Sequence, residues 1–153
     1  MSRGRFPPDG NANLHVSSLI MKQGIYPAEG YQCMGAAFEV YSDRGFGMAE
    51  EISQESLEIE LELRGIVFQS KLELRCHCKG RELKKRCIPD LFVSSCLAAE
   101  LEAVTELAAE HEAQLFNYLR ITRQPVGYLV NFGHKDTLEW KRLILSEFVP
   151  RQR

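Results

Sequence analysis

The sequence predicts one mixed α/β domain, with a mixed central sheet flanked by helices. Two observations predict this class. Apolar residues recur at helical spacing in several stretches, and short strand-like runs separated by turn residues lie between them. The chain has 153 residues, of which 44% are apolar and 26% are charged, so a single soluble domain can bury a core of its own.

Residues 1–30 are expected to form an irregular N-terminal arm, and residues 31–153 the folded domain. The arm contains several prolines and glycines, including Pro7, Pro8, Gly10 and Gly24, and shows little periodicity. We therefore exclude most of it from the predicted core.

Two helices are predicted to follow the arm. The first lies within residues 31–41, and the run SDRGFG at 42–47 ends its pattern. The second runs from about Met48 to Arg64 and ends at Gly65, a typical C-terminal cap. We expect most of its glutamates to face solvent. Its apolar residues are expected to face the core: Ala49, Ile52, Leu57, Ile59, Leu61 and Leu63.

Four strands are predicted next, at residues 66–69, 71–78, 86–93 and 96–104. Apolar and polar residues alternate along 71–78, which predicts one buried face that includes Cys76 and Cys78. The C-terminal third is predicted to contain a helix from about Ala109 to Thr122, a buried strand at 126–132 and a last helix from Thr137 to Phe148.

The bulk properties favour a cytoplasmic protein that does not enter a membrane. No run approaches the roughly 18 apolar residues that span a bilayer, and the N-terminal residues do not resemble a signal peptide. Five cysteines form an odd set, so we expect reduced thiols that pack in the core rather than disulfides or a metal site. With a net charge of −2, any nucleic-acid contact must come from local basic patches.

Two carboxylates are spaced as if they lie on adjacent strands. Asp90 ends the dipeptide PD, and Glu100 follows ten residues later in the next predicted strand. Mg²⁺ prefers oxygen ligands, typically one or two carboxylates together with water and substrate phosphate. Glu50, in the first turns of the second helix, is placed to point toward Asp90. Each acid alone is most simply a surface carboxylate, and only the joint pattern indicates a site.

Seven segments resemble the PD-(D/E)XK nuclease superfamily and, within it, the small RecB-like bacterial proteins of the GxxExxY family. The resemblance covers roughly residues 31–148 and implies a restriction-endonuclease-like core. The segments, in the family's order and spacing, are GAAFEV at 35–40, GMAEEIS at 47–53, LELRGI at 61–66, IPDLFV at 88–93, AELEAV at 99–104, HEAQLFNYL at 111–119 and LVNFG at 129–133.

The resemblance also implies roles for individual residues. Glu50, Asp90 and Glu100 match the acids that hold Mg²⁺ or Mn²⁺, and Leu101 would add its backbone carbonyl. Gln114 and Tyr118 match the QxxxY motif, in which the glutamine frames the active site and the tyrosine lies near the nucleic-acid path.

Two positions depart from the family pattern. Ser53 replaces the tyrosine of GxxExxY, and Glu102 replaces the catalytic lysine of ExK. A carboxylate there reverses the local charge and adds a metal ligand or general base. The sequence therefore leaves two hypotheses open: a metal-dependent nuclease acting on DNA, with RNA as second choice, in which Glu102 helps activate water, and an inactive nuclease-fold module that binds nucleic acid or protein.

A basic run that precedes Asp90 contains Lys84, Lys85 and Arg86 and is a candidate contact for a phosphate backbone. A solvated hairpin end explains the same run equally well. His111 is either near the site or simply a helix-start histidine, because the sequence shows no partner for it.

Overall fold

The computed structural model describes residues 25–151, which form three helices, seven strands and one 3₁₀ turn. The helices are α1 (Pro27–Arg44), α2 (Glu50–Leu63) and α3 (Ala109–Thr122). The strands are β1 (Phe68–Ser70), β2 (His77–Cys78), β3 (Arg81–Glu82), β4 (Leu91–Val93), β5 (Leu97–Glu102), β6 (Val126–Asn131) and β7 (Glu139–Ile144). The 3₁₀ turn spans Ser146–Phe148. No helix within this range is long and apolar enough to cross a membrane.

Five strands form one mixed sheet in the order β1-β4-β5-β6-β7. Only β5 and β6 are parallel, and α3 makes the crossover between them. The other neighbouring pairs are antiparallel. All six residues of β6 are buried, as expected for a strand covered on both faces. A separate two-stranded ribbon consists of β2 and β3.

Helices cover both faces of the sheet. The side chains of β5 alternate between these faces and show which helices pack on each one. Leu97, Ala99 and Leu101 pack in the larger core with α1 and α2. Ala98, between them, packs in the smaller core with Leu115 of α3. Since successive side chains in a strand point to opposite faces, Glu100 and Glu102 lie on the α3 side of the sheet.

The first two helices lie where the sequence places them, but their limits and faces differ from expectation. Residues 27–30, assigned to the irregular arm, form the first turn of α1. The buried row of α2 is Ser53, Gln54, Leu57 and Leu61. The expected orientation was wrong, since the apolar residues Ile52, Ile59 and Leu63 are exposed. The helix is rotated toward a polar contact: Gln54 is buried against the backbone of Asp90.

The predicted long strand at 71–78 was also wrong. Only His77 and Cys78 form a strand there, and Leu74 makes a single bridge to Cys87. The expectation that all cysteines are reduced and buried fails with it: Cys76 and Cys87 form a disulfide, and Cys78 is exposed. The ribbon is separate from the main sheet, so the alternation of residues along 71–78 did not produce a buried face. Cys33 and Cys96 are buried free thiols, as expected.

The predicted C-terminal helix is instead the edge strand β7. All six of its residues pair with β6 in antiparallel register, from Val126↔Ile144 to Asn131↔Glu139. Trp140 and Ile144 pack toward the larger core, whereas Leu143 packs toward the smaller one. The apolar residues of this segment fit the spacing of a helix as well as that of a strand. The strand forms because the edge of β6 has backbone N–H and C=O groups that need hydrogen-bond partners.

Gly133 is a position where the fold admits no side chain. An added Cβ would lie 2.5 Å from backbone atoms of Ala103 and Val104. We expect Gly133→Ala to lower the free energy of unfolding by about 2 kcal/mol or more, because a backbone segment must shift. Urea denaturation measures this change.

Gly35→Ala is the matched control, because its added Cβ would meet the flexible end of the Arg64 side chain, at 3.2 Å. Gly35 lies inside α1, where alanine is favoured over glycine by roughly 0.5–1 kcal/mol. Equal midpoints for the two variants would contradict the close approach at Gly133.

Candidate active site

Asp90 and Glu100 face each other across the β4–β5 hairpin. Leu91 pairs with Ala99 in this antiparallel register, so Asp90 lies opposite Glu100 and on the same face. Asp90 is 6% exposed and Glu100 is 2% exposed. The hairpin therefore brings two acids, which we call the Asp90–Glu100 pair, into the interior together.

Every polar atom of Asp90 has a partner. Its backbone N–H donates to Glu100 Oε1 at 2.9 Å, and its Oδ2 accepts from the Leu101 N–H at 2.8 Å. Its carbonyl accepts from Gln54 Nε2 at 2.9 Å and from the Lys71 N–H at 3.0 Å. These contacts join α2, the end of β1, β4 and β5 at one residue.

Burial makes Glu100 hard to ionise. Desolvation, followed by the negative charge of Asp90, raises the pKa of Glu100 to about 9. The hydrogen bond from the Asp90 backbone opposes this shift without cancelling it. In the metal-free protein at neutral pH, Glu100 is therefore a neutral acid beside Asp90.

Two further acids complete the group, which we call the acid cleft (Glu50, Asp90, Glu100 and Glu102). Glu50 is the first residue of α2, and desolvation and the charge of Asp90 raise its pKa. Desolvation also raises the pKa of Glu102, against the opposing effect of His111 and with added repulsion from Glu50 and Asp90. The negative charge of Asp90 therefore raises the pKa of each of the other three acids.

His111 has the partner that the sequence did not reveal. Its Nδ1 accepts a hydrogen bond from the Ala108 N–H at 2.9 Å, which leaves the proton on Nε2. Nε2 lies 3.8 Å from Glu102 Oε2. His111 therefore lies at the acid cleft rather than on a free helix end.

Lys71 is the residue that the sequence reasoning missed. Its ammonium group forms an ion pair with Asp90 Oδ1. Partial burial opposes its charge, but the hydrogen bond and charge of Asp90, together with Glu100 and Glu50, raise the pKa of Lys71 overall. The sequence pattern includes Lys71 only as the first residue of the predicted strand at 71–78. The turn that redirects it, with φ of 50°, has no glycine to signal it.

The acid cleft fits a divalent cation in its chemistry but is not preassembled for one. Its possible ligands are carboxylate oxygens, which divalent cations such as Mg²⁺ prefer. Three of its four acids have raised pKa values, which indicates that nearby positive charge does not balance their negative charge. Within residues 25–151, no three His, Cys, Asp or Glu side chains are grouped to hold a metal. The expected convergence on a single cation is therefore not present. Lys71 and the Leu101 N–H already engage the two Asp90 oxygens.

The QxxxY pair lies beside the acid cleft on α3. Gln114 Nε2 donates to Tyr118 Oη at 3.1 Å, and Tyr118 Oη lies 3.4 Å from the carbonyl of Ile88, two residues before Asp90. Desolvation raises the pKa of Tyr118, and repulsion from Glu100 and Asp90 adds to this. Gln114 and Tyr118 therefore contact the approach to Asp90 and not the acids directly.

The predicted basic contacts lie on the loop of residues 83–90, here called the basic loop. Lys84 and Lys85 are exposed, whereas Arg86 forms an ion pair with Glu82 at 3.2 Å. The basic loop ends at Asp90, the first of the two acids along the chain. Nearby, Arg75 and Arg120 line an open cavity of 410 Å³ between the ribbon and α3.

The raised pKa of Glu100 predicts a pH-dependent stability. The unfolded carboxyl loses its proton near pH 4.5 and the folded one near pH 9, so the native state holds an extra proton between these values. Its contribution to stability is present below pH 4.5 and is lost as the pH rises toward 9. Glu100→Gln keeps the acceptor oxygen and cannot ionise. The free energy of unfolding of this variant, minus that of the parent, should therefore increase by on the order of 3 kcal/mol between pH 5 and pH 8.

Urea midpoints at both pH values measure this gain. Glu106→Gln, on an exposed residue of the loop before α3, is the control and should show no such gain. A parent whose stability is flat over this range, once Glu50 and Glu102 are allowed for, argues against a neutral Glu100.

Comparisons with known proteins agree on the fold and the family. No curated protein matches the chain. The crystal structure of SSO0001 is similar, with a TM-score of 0.50 and 18% identity, over 61% of this chain and 48% of that one. The chain thus spans about half the length of that structure, and the likeness shows the mixed α/β, restriction-endonuclease-like fold. The family model of the PD-(D/E)XK nuclease superfamily matches residues 27–143. The chain therefore belongs to the PD-(D/E)XK nuclease superfamily.

Proposed function

We propose that this protein hydrolyses phosphodiester bonds in DNA, with Mg²⁺ or Mn²⁺ held by Glu50, Asp90 and Glu100. One observation carries the proposal: Asp90 and Glu100 are buried face to face at the end of the sheet. Burial of two adjacent acids is electrostatically unfavourable, and a sheet can form without it, so the pair suggests a functional site. RNA is the alternative substrate. On the segments 47–53 and 111–119 we further assign the chain to the GxxExxY family.

A divalent cation at this site would polarise a phosphoryl oxygen and lower the pKa of bound water. Asp90 and Glu100 would be its main ligands, and Glu50 and the Leu101 carbonyl would complete the set. Asp90 would bind it in place of the Lys71 ammonium. Because burial raises the pKa of Glu100, this ligand would have to lose a proton, so metal affinity should increase as the pH rises.

Glu102 is the proposed general base. Burial raises the pKa of Glu102 toward neutral pH, and a carboxylate with a higher pKa is a stronger base. The water oxygen bonds to phosphorus, the bond from phosphorus to the leaving sugar oxygen breaks, and one water proton passes to Glu102. The leaving oxygen takes up a proton from solvent. His111 Nε2 lies 3.8 Å from Glu102 Oε2, and its electrostatic effect opposes the rise in the pKa of Glu102.

The second candidate is a nuclease-fold module without catalysis, which binds nucleic acid or protein. The observation that favours it is Glu102 itself, which stands where the superfamily has a lysine. The two candidates differ in one measurable property, metal-dependent cleavage by the parent protein.

Asp90→Asn tests the metal ligands. Loss of one carboxylate charge should weaken Mn²⁺ binding, measured by calorimetry, and reduce Mg²⁺- or Mn²⁺-dependent plasmid nicking by about 100-fold or more. Glu106→Gln removes an exposed acid and should leave both unchanged. Full nicking by Asp90→Asn would falsify the assigned ligand set.

Within the same assay, Glu102→Gln should lower nicking by about 10²–10⁴-fold while the fold and Mn²⁺ affinity persist, the range typical of a lost general base. A parent that cleaves neither single- nor double-stranded DNA with either metal favours the binding module.

Lys84 and Lys85 are the proposed backbone contacts. Replacing both by alanine should reduce the slope of log affinity against log salt by about 2 for a short duplex, one unit for each lost phosphate contact. Fluorescence anisotropy in EDTA at several salt concentrations gives this slope. Lys135→Ala, on the turn between β6 and β7, is the control. An unchanged slope means that these lysines only solubilise the loop.

A further inference from the structure

The acid cleft lacks the positive charge that phosphate chemistry needs. Four carboxyl groups lie in it, and the position that the superfamily fills with lysine is Glu102. A phosphodiester approaching this group meets repulsion, and the charge that develops on its oxygens in the transition state requires a nearby fixed cation. Among the described residues, Lys71 and His111 are the groups at the cleft that can supply one.

His111 is a poor candidate for this task. Its Nδ1 is occupied by the Ala108 N–H, and its Nε2 is directed at Glu102. Lys71, in contrast, places a permanent charge against Asp90.

The geometry points to Lys71 as the active-site lysine of this chain. It lies in the turn after β1 and would supply the positive charge that the superfamily's lysine supplies from the position of Glu102 on β5. The inference rests on the proposed function. Its side chain is 53% exposed while that of Asp90 is 9% exposed, so the ammonium lies at the mouth of the cleft, between buried acid and solvent. A bound phosphate enters from that side.

The backbone of Lys71 is also fixed beside the acids. Its N–H donates to the Asp90 carbonyl, at 3.0 Å. This main-chain contact keeps Lys71 next to Asp90 even where its ammonium leaves the Asp90 carboxylate for a phosphate oxygen.

Three variants test the role, with Mn²⁺ affinity as a readout besides cleavage. Lys71→Gln should lower plasmid nicking by about 100-fold or more. Its Mn²⁺ affinity should be unchanged or tighter, because the ammonium no longer competes for Asp90. Lys71→Arg should retain more activity than Lys71→Gln. Lys79→Gln is the matched control, since Lys79 is an exposed lysine with the same φ of 50°, and it should leave both quantities unchanged.

Equal nicking by Lys71→Gln and Lys71→Arg overturns the inference, because arginine keeps the positive charge that glutamine removes.

Two other outcomes also overturn it: nicking by Lys71→Gln within threefold of the parent, or loss of Mn²⁺ binding together with nicking, which marks a merely structural role. An active parent that tolerates Lys71→Gln refutes the role of Lys71 alone. A parent that binds Mn²⁺ and cleaves nothing refutes the proposed function and this role with it.

Discussion

The burial of the Asp90–Glu100 pair is the constraint on which the site end of the fold depends. Two acids in a low-dielectric interior repel each other, and the protein offsets this by leaving Glu100 neutral and by satisfying each oxygen of Asp90. The contacts that do so come from Lys71 after β1, Gln54 of α2 and Leu101 of β5. The polar requirements of one residue therefore help to set how four elements meet.

The strands and helices that depend on local pattern were predictable. The limits of α3 match the expected helix, and β6 is as buried as its apolar run indicated. The failures occur where tertiary context decides. β7 has apolar residues that fit a helix or a strand, and the open edge of β6 selects the strand. The stretch 71–78 alternates like a strand, but only His77 and Cys78 form one, in a ribbon separate from the main sheet.

The candidate site was predictable where its residues share a strand or hairpin. Asp90 and Glu100 need only a ten-residue spacing and an antiparallel turn to meet, and Glu102 follows on the same face. Lys71 depends on a left-handed turn without glycine, and His111 depends on how α3 docks against β5. Neither arrangement leaves a pattern in the sequence, because both result from long-range packing.

The hairpin also has a consequence for the order of folding. Its turn, at Ser94 and Ser95, joins β4 to β5 locally, and hairpins of this kind form in about 1–10 μs. Pairing of β5 with β6 must wait for the crossover through α3 and closes a longer loop. If the hairpin forms first, the two acids meet while still hydrated and lose their water when β6 and α3 dock. The electrostatic cost of burying them then falls on the later step.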